Sequence, residues 1–207
     1  MKTFAVLLLL LLAAVPAGAQ SPSDALIAHM IANVDGVRTY TAAVHTNASV
    51  HAFISLNPSL DGMYYHKEPD RNKVVYTSGM PFVAQQFSKL YPHIDSAAIW
   101  KAKYVVSVEG DSGGFTTFKL VPRLRGRIDH IDAKVDDRSA NLTSQRWNYG
   151  DGGYAQTDLT YSMVQGHPLV TAQSGKVEVP KYSAEFSSTF KDFKINVAIP
   201  DSVFAEN

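Results

Sequence analysis

Cysteine is absent from the 207 residues. That excludes disulfides, thiolate metal ligation and a cysteine nucleophile. It also removes the attachment point that a bacterial lipoprotein needs at its new N-terminus. An excess of one charge is absent too: 19 basic side chains face 19 acidic ones. Without a basic balance, nucleic acid is not an expected partner. Long hydrophobic runs are scarce. The longest, Phe4 to Val15, follows the lone charge Lys2 and rises only about 18 Å as a helix, short of a hydrocarbon core of roughly 30 Å. With Ala17-Gly18-Ala19 after it, the segment reads as a cleavable signal peptide over residues 1–19. The expected mature chain then starts at Gln20, untethered and outside the cytoplasm. Phosphate loops, dinucleotide fingerprints, internal repeats and low-complexity linkers are absent as well.

What remains, residues 20–207, reads as a single domain long enough to bury roughly 70 % of its unfolded surface. Ser23 and Asp24 suit a helix start, and Leu26, Ile27, Met30, Ile31 and Val34 recur at helical spacing. From Arg38 the period becomes two, with Tyr40, Ala42 and Val44 on one face. Turn residues Asn57-Pro58, Asp61-Gly62 and Pro69-Asp70 bracket short strands at Met63 to Lys67 and Lys73 to Tyr76. Between Pro81 and Ala102 the helical interval returns, with Ser96 placed to cap a turn through Ile99 and Trp100. After Lys103 nearly everything alternates, and turns at Gly113-Gly114, Asp136-Asp137, Gly150 to Gly153 and Gly166 to Pro168 separate the strands. The expected fold is mainly β: a half-open, curved antiparallel barrel of about 10 or 11 strands, with helices covering its concave apolar face.

In the late strands Leu159, Tyr161 and Met163, then Tyr182, Ala184, Phe186 and Phe190, line one side, while Gln156, Asp158, Glu185, Ser187 and Lys191 line the other. Such a face is either a core packed by helices or a concave surface that holds a ligand.

Two motifs invite catalytic readings. Gly110-Asp111-Ser112-Gly113-Gly114 resembles the nucleophile motif of chymotrypsin-like serine proteases, with His45 as the partner in a loose histidine segment. The spacing is too short for the intervening barrel, and the same string between two strands is what a hairpin turn requires. A hydrolase using Ser112 is therefore the remote alternative. Asp129-His130-Ile131-Asp132 is the closest histidine cluster, and its place on a strand favours solvent-facing polarity over a metal. No catalytic residue, metal or cofactor is expected.

The order of elements, with Arg38-Thr39-Tyr40-Thr41-Ala42, Gly62 to Pro69 and the closing Phe193 to Val197 and Ile199 to Phe204, resembles the LolA-type outer-membrane lipoprotein carriers and the wider LolA/LolB/RseB-like superfamily. The resemblance implies a periplasmic carrier or binding protein for lipoprotein acyl chains or lipid, served by membrane-bound donor and acceptor proteins and acting as a monomer. An envelope sensor or regulatory domain of the same fold is the alternative. The expected cavity residues are Met63, Tyr65, Val74, Phe118, Leu120, Leu159, Tyr161, Met163, Phe186 and Phe190, under a lid carrying Phe82, Phe87 and Leu90. Carriers of this type place an arginine before the proline of the second strand. Here Glu68 stands there and Arg71 lies close by, so these two are the candidate lid contacts.

Overall fold

The computed structural model describes residues 21–52, 55–77, 93–180 and 182–205. The signal segment 1–19 and the lid residues Phe82, Phe87 and Leu90 lie outside the described residues. The chain opens with α1 (Pro22–Asn33). Its cap is Ser21, not Ser23: the Ser21 hydroxyl accepts from the Asp24 N–H at 3.1 Å. Pro22, whose ring presets a helical φ and whose missing N–H is no loss there, takes the first helical position.

Eleven strands follow: β1 (Thr39–His51), β2 (Ser55–Leu56), β3 (Ser59–Lys67), β4 (Arg71–Tyr76), β5 (Tyr104–Ser112), β6 (Phe115–Pro122), β7 (Ile128–Asp136), β8 (Leu142–Tyr149), β9 (Tyr154–Val164), β10 (His167–Val179) and β11 (Tyr182–Ile195). Between β4 and β5 stands α2 (Ala97–Lys103), capped by Ser96 as its sequence suggests. A 3-10 turn, Asp201–Phe204, closes the described chain.

All strands join one antiparallel sheet in the order β4-β3-β1-β11-β10-β9-β8-β7-β6-β5, with β2 paired to β1. The sheet is open, since β4 and β5 are its edges. Consecutive strands pair through short turns from β5 to β11, which is why period-two alternation between turn residues located them so well. The one long-range step is β1 onto β11.

The register sorts side chains between two faces. On β6 to β9 the inward residues are Phe118, Leu120, Ile131, Ala133, Trp147, Ala155 and Leu159, all buried in one cluster with Ile27 of α1 and Trp100 of α2. Trp100 is 1 % exposed, meets Phe118 edge-on at 5.7 Å and donates its indole N–H to the Asp95 carbonyl at 3.0 Å. That one ring seats α2 on the sheet. Asn33 holds the end of α1 by donating to the Ser139 carbonyl at 2.7 Å, and Lys101 links the helices through Asp24 at 2.7 Å.

Candidate apolar binding face

The other half of the same face has a different lining. β1, β3, β4 and β11 bring Tyr40, Ala42 and Val44, Tyr64, Val74 and Phe190 to one side, as the pairs Ala42 with Tyr64, Tyr64 with Val74 and Val44 with Phe190 require. Phe193 joins them, three residues after Phe190, because the β1–β11 register shifts at Thr41/Ala43 where Asp192 adopts φ 55°. Val170 of β10, beside another shift, packs against both clusters and makes the two halves continuous.

Rings dominate here. Tyr40 lies 5.6 Å from Tyr64, 6.0 Å from Phe193, and stacks on His66 at 4.8 Å; Tyr64 meets Phe190 edge-on at 5.5 Å. Asn72 organises the polar edge of the cluster. Its Oδ1 accepts from the Tyr64 hydroxyl at 2.6 Å and from His66 Nδ1 at 2.8 Å, and its Nδ2 donates to the Asp70 carbonyl at 3.3 Å. The three bonds fix the amide orientation and leave His66 with its proton on Nδ1.

The electrostatics keep this face neutral. Burial pushes the Tyr40 phenol up to about 12, raises Tyr64 well above its ordinary value and raises Tyr161. Burial also lowers His66, against the opposing pull of Asn72, Glu68 and Asp70. All four side chains are uncharged near neutral pH. Yet Tyr40, Tyr64, His66, Tyr161, Val74 and Val170 stay half-buried, whereas Phe118, Leu120 and Trp147 are sealed. One half of the concave face is filled; the other is a neutral aromatic wall that still reaches solvent.

The expected cavity residues divide accordingly. Phe118, Leu120 and Leu159 belong to the filled half. Val74, Tyr161 and Phe190 line or adjoin the aromatic half. Phe186 is inward and covers Gly175, the residue across from it, where an added Cβ would fall within 2.4 Å of the ring. Met163 shares the inward parity but is 69 % exposed at the strand end.

Met63 and Tyr65 fall on the opposite face, since Met63 pairs with Ala43 and Val75, and Tyr65 with Thr41 and Lys73. Their neighbour Tyr64 takes the inward place. The outer face of this hairpin also carries Lys67, Arg71 and Lys73, which hold the C-terminal segment. Asp201 accepts from Lys67 at 2.7 Å and Arg71 at 2.9 Å, Arg71 lies over the Phe204 ring at 5.2 Å, and Lys73 donates to the Ala205 carbonyl at 2.7 Å. Arg71 is thus engaged with the tail, and Glu68 is exposed.

The serine motif forms the β5–β6 turn. Gly113 and Gly114 have φ of 63° and 80°, a pair of left-handed positions that a tight hairpin needs. His45 instead binds Asp61 at 2.8 Å, on a strand separated from β5 by six others in the sheet order. Among the described residues no histidine bonds Ser112. His130 is held by Asp129 at 2.7 Å and Asn148 at 3.1 Å on the outer face, and no group of three potential metal ligands occurs among the described residues.

No protein-family model and no curated protein matches the chain. Solved structures do. The fold is similar to that of a LolA superfamily protein from Nitrosomonas europaea, with a TM-score of 0.62, 11 % identity, and 89 % of this chain and 97 % of that one covered. It is equally similar to a putative outer membrane lipoprotein-sorting protein domain from Vibrio parahaemolyticus, with a TM-score of 0.63, 8 % identity and coverage of 89 % and 97 %. A DUF1329 family protein from Desulfovibrio piger follows at 0.55 and 11 %, covering 89 % and 98 %. At these identities the likeness is one of fold: the chain has the LolA-type architecture, an open curved antiparallel sheet with helices on its concave side.

Proposed function

We propose that this protein is a periplasmic carrier or binding protein for acyl chains of lipoproteins or lipids, held against the aromatic half of the concave face. The observation that carries the reading is the contrast within that face: a sealed half under α1 and α2 beside a neutral wall in which Tyr40, Tyr64, Tyr161, Val74 and Val170 stay half-buried over the buried Phe190. An acyl chain needs no catalytic group, only removal from water. Each methylene so moved contributes about 0.8 kcal/mol, so a chain of some sixteen carbons offers on the order of 10 kcal/mol before ordering costs. The lack of charge on the wall matters equally, because a charge facing an acyl chain would be stripped of water without a partner. The lipoprotein-sorting description attached to the Vibrio domain of the same fold supports this class of cargo. Export through the segment 1–19 and a lid carrying Phe82, Phe87 and Leu90 complete the proposal.

Native mass spectrometry of protein purified from a bacterial periplasm without detergent tests it, alongside titration with a fluorescent acyl probe. Bound lipid or acylated peptide, saturable probe uptake and loss of uptake in Val170→Glu are expected. Protein that is consistently empty and takes up no probe would overturn it.

A further inference from the structure

At the β6–β7 connection the sequence reads Pro122-Arg123-Leu124-Arg125-Gly126-Arg127. Leu124 is 85 % exposed, more than any other large hydrophobic among the described residues. The loop that displays it is pinned at both ends. The Arg123 N–H donates to the Lys103 carbonyl at 2.9 Å and its Nε to the Lys101 carbonyl at 3.3 Å; at the other end the Gly150 N–H donates to the Arg127 carbonyl at 3.1 Å. Arg127 also lies over the Tyr149 ring at 4.5 Å and meets Asp151 at 3.4 Å. Leu124 is therefore held outward by a fastened loop.

Its surroundings continue the pattern. Val105 and Val121, cross-strand partners on the outer face at the edge of the sheet, are 53 % and 38 % exposed. Arg123 and Arg125 flank Leu124, and neither has a carboxylate partner among the described residues, whereas Lys101 and Lys103 beside them are neutralised by Asp24, Asp70 and Asp95. A chain of zero net charge thus concentrates, around one protruding apolar side chain, two arginines that have no carboxylate partner among the described residues. Cations that attract an anionic surface, with an apolar tip that enters it, fit the boundary between headgroups and acyl chains.

We infer that the loop 123–127, with Val105 and Val121 beside it, is a docking surface for an anionic phospholipid bilayer. Attachment is peripheral and reversible, since one leucine and two arginines are a weak anchor. The inference stands apart from the cargo reading, because it concerns the outer face.

The test is co-sedimentation of the mature chain with vesicles of phosphatidylglycerol in phosphatidylethanolamine, against vesicles of phosphatidylcholine alone. Binding to the anionic vesicles that weakens with salt is expected. Arg123→Gln with Arg125→Gln should weaken it roughly thirtyfold, from about a fivefold loss of surface attraction per charge. Leu124→Ser should weaken it by about tenfold, and Leu124→Phe should retain it. Val170→Glu, which blocks the proposed cavity, should bind vesicles like the parent, so failure of docking and failure of carriage are read separately. All three positions changed in the loop are exposed, and unchanged thermal melts verify folding. Equal binding to neutral vesicles, no binding at all, or anionic binding that survives the loop substitutions would overturn the inference. So would self-association that Leu124→Ser abolishes, which would assign the loop to a second copy of the chain.

Discussion

The two halves of the concave face are built from the same sheet, by the same alternation, and differ in what covers them. Over β6 to β9, α1 and α2 insert Ile27 and Trp100, and the rings beneath are sealed. Over β1, β3, β4 and β11 the cluster packs phenylalanines with half-buried tyrosines and a histidine, and Tyr64 and His66 turn their polar tips to Asn72. The difference teaches that inward-facing and apolar are not sufficient to name a binding site. In the first half those residues constitute stability, and in the second they constitute a surface.

A matched pair of truncations breaks or sharpens this contrast most strongly. Trp100→Ala removes a sealed ring, its edge contact with Phe118 and its bond to Asp95, and should cost about 3–5 kcal/mol in urea-induced unfolding. Tyr161→Ala, on the half-buried wall, should cost only about 1–2 kcal/mol but weaken acyl-probe affinity tenfold or more. If Tyr161→Ala proves as destabilising as Trp100→Ala while probe binding is unchanged, the division between packing half and binding half is wrong.

A second, smaller effect has the opposite sign. Gln145 sits inward on β8 between Ala133 and Thr157, is 1 % exposed, and among the described residues its Oε1 has no hydrogen-bond partner. A buried acceptor left unpaired costs about 1–3 kcal/mol. Gln145→Met, of similar volume, should therefore raise stability by about 1 kcal/mol with no change in probe affinity, because the position belongs to the sealed half. A loss of stability would show that the amide has a partner such as a buried water.

How far the sequence anticipated this division can be judged strand by strand. From β5 to β11 consecutive strands pair through short turns, so local alternation was enough to place Phe118, Leu120, Leu159, Tyr161 and Phe190 inward. In β3 it was not. Met63, Tyr64, Tyr65 and His66 put large side chains on both faces, and only the pairing of Tyr64 with Ala42 across β1 decides which face is inner. Propagating the Tyr40–Ala42–Val44 stripe onto β3 would have found Tyr64 and His66. Phe193 was hidden by the shift near Asp192, which places residues three apart on one face. The fold resemblance was legible because element order survives when identities have fallen to about a tenth. The roles of Glu68 and Arg71 were not, since the tail that engages Arg71 is distant in sequence.

The smallest effect probes the polar edge of the aromatic half. His66 is stacked on Tyr40 and donates from Nδ1 to Asn72, and burial holds its folded-state value below that of an unfolded histidine, about 6.5. Over the window from that unfolded value down to the folded one, the unfolded chain binds more protons than the native chain. Stability must therefore fall as pH drops through the window and level off once both states are protonated. His66→Gln retains a donor for Asn72 and removes the titration, so the stability difference between variant and parent should shift in the variant's favour as pH is lowered from about 7 to about 5. The same comparison run on acyl-probe affinity separates packing from binding. If the wall receives cargo, protonating His66 puts a charge against an acyl chain, and parent affinity should decline over that range while the variant's stays level. A parent whose stability and affinity are both flat between those pH values would mean that His66 is in open contact with water, and that the aromatic half is a solvated surface instead of a cavity wall.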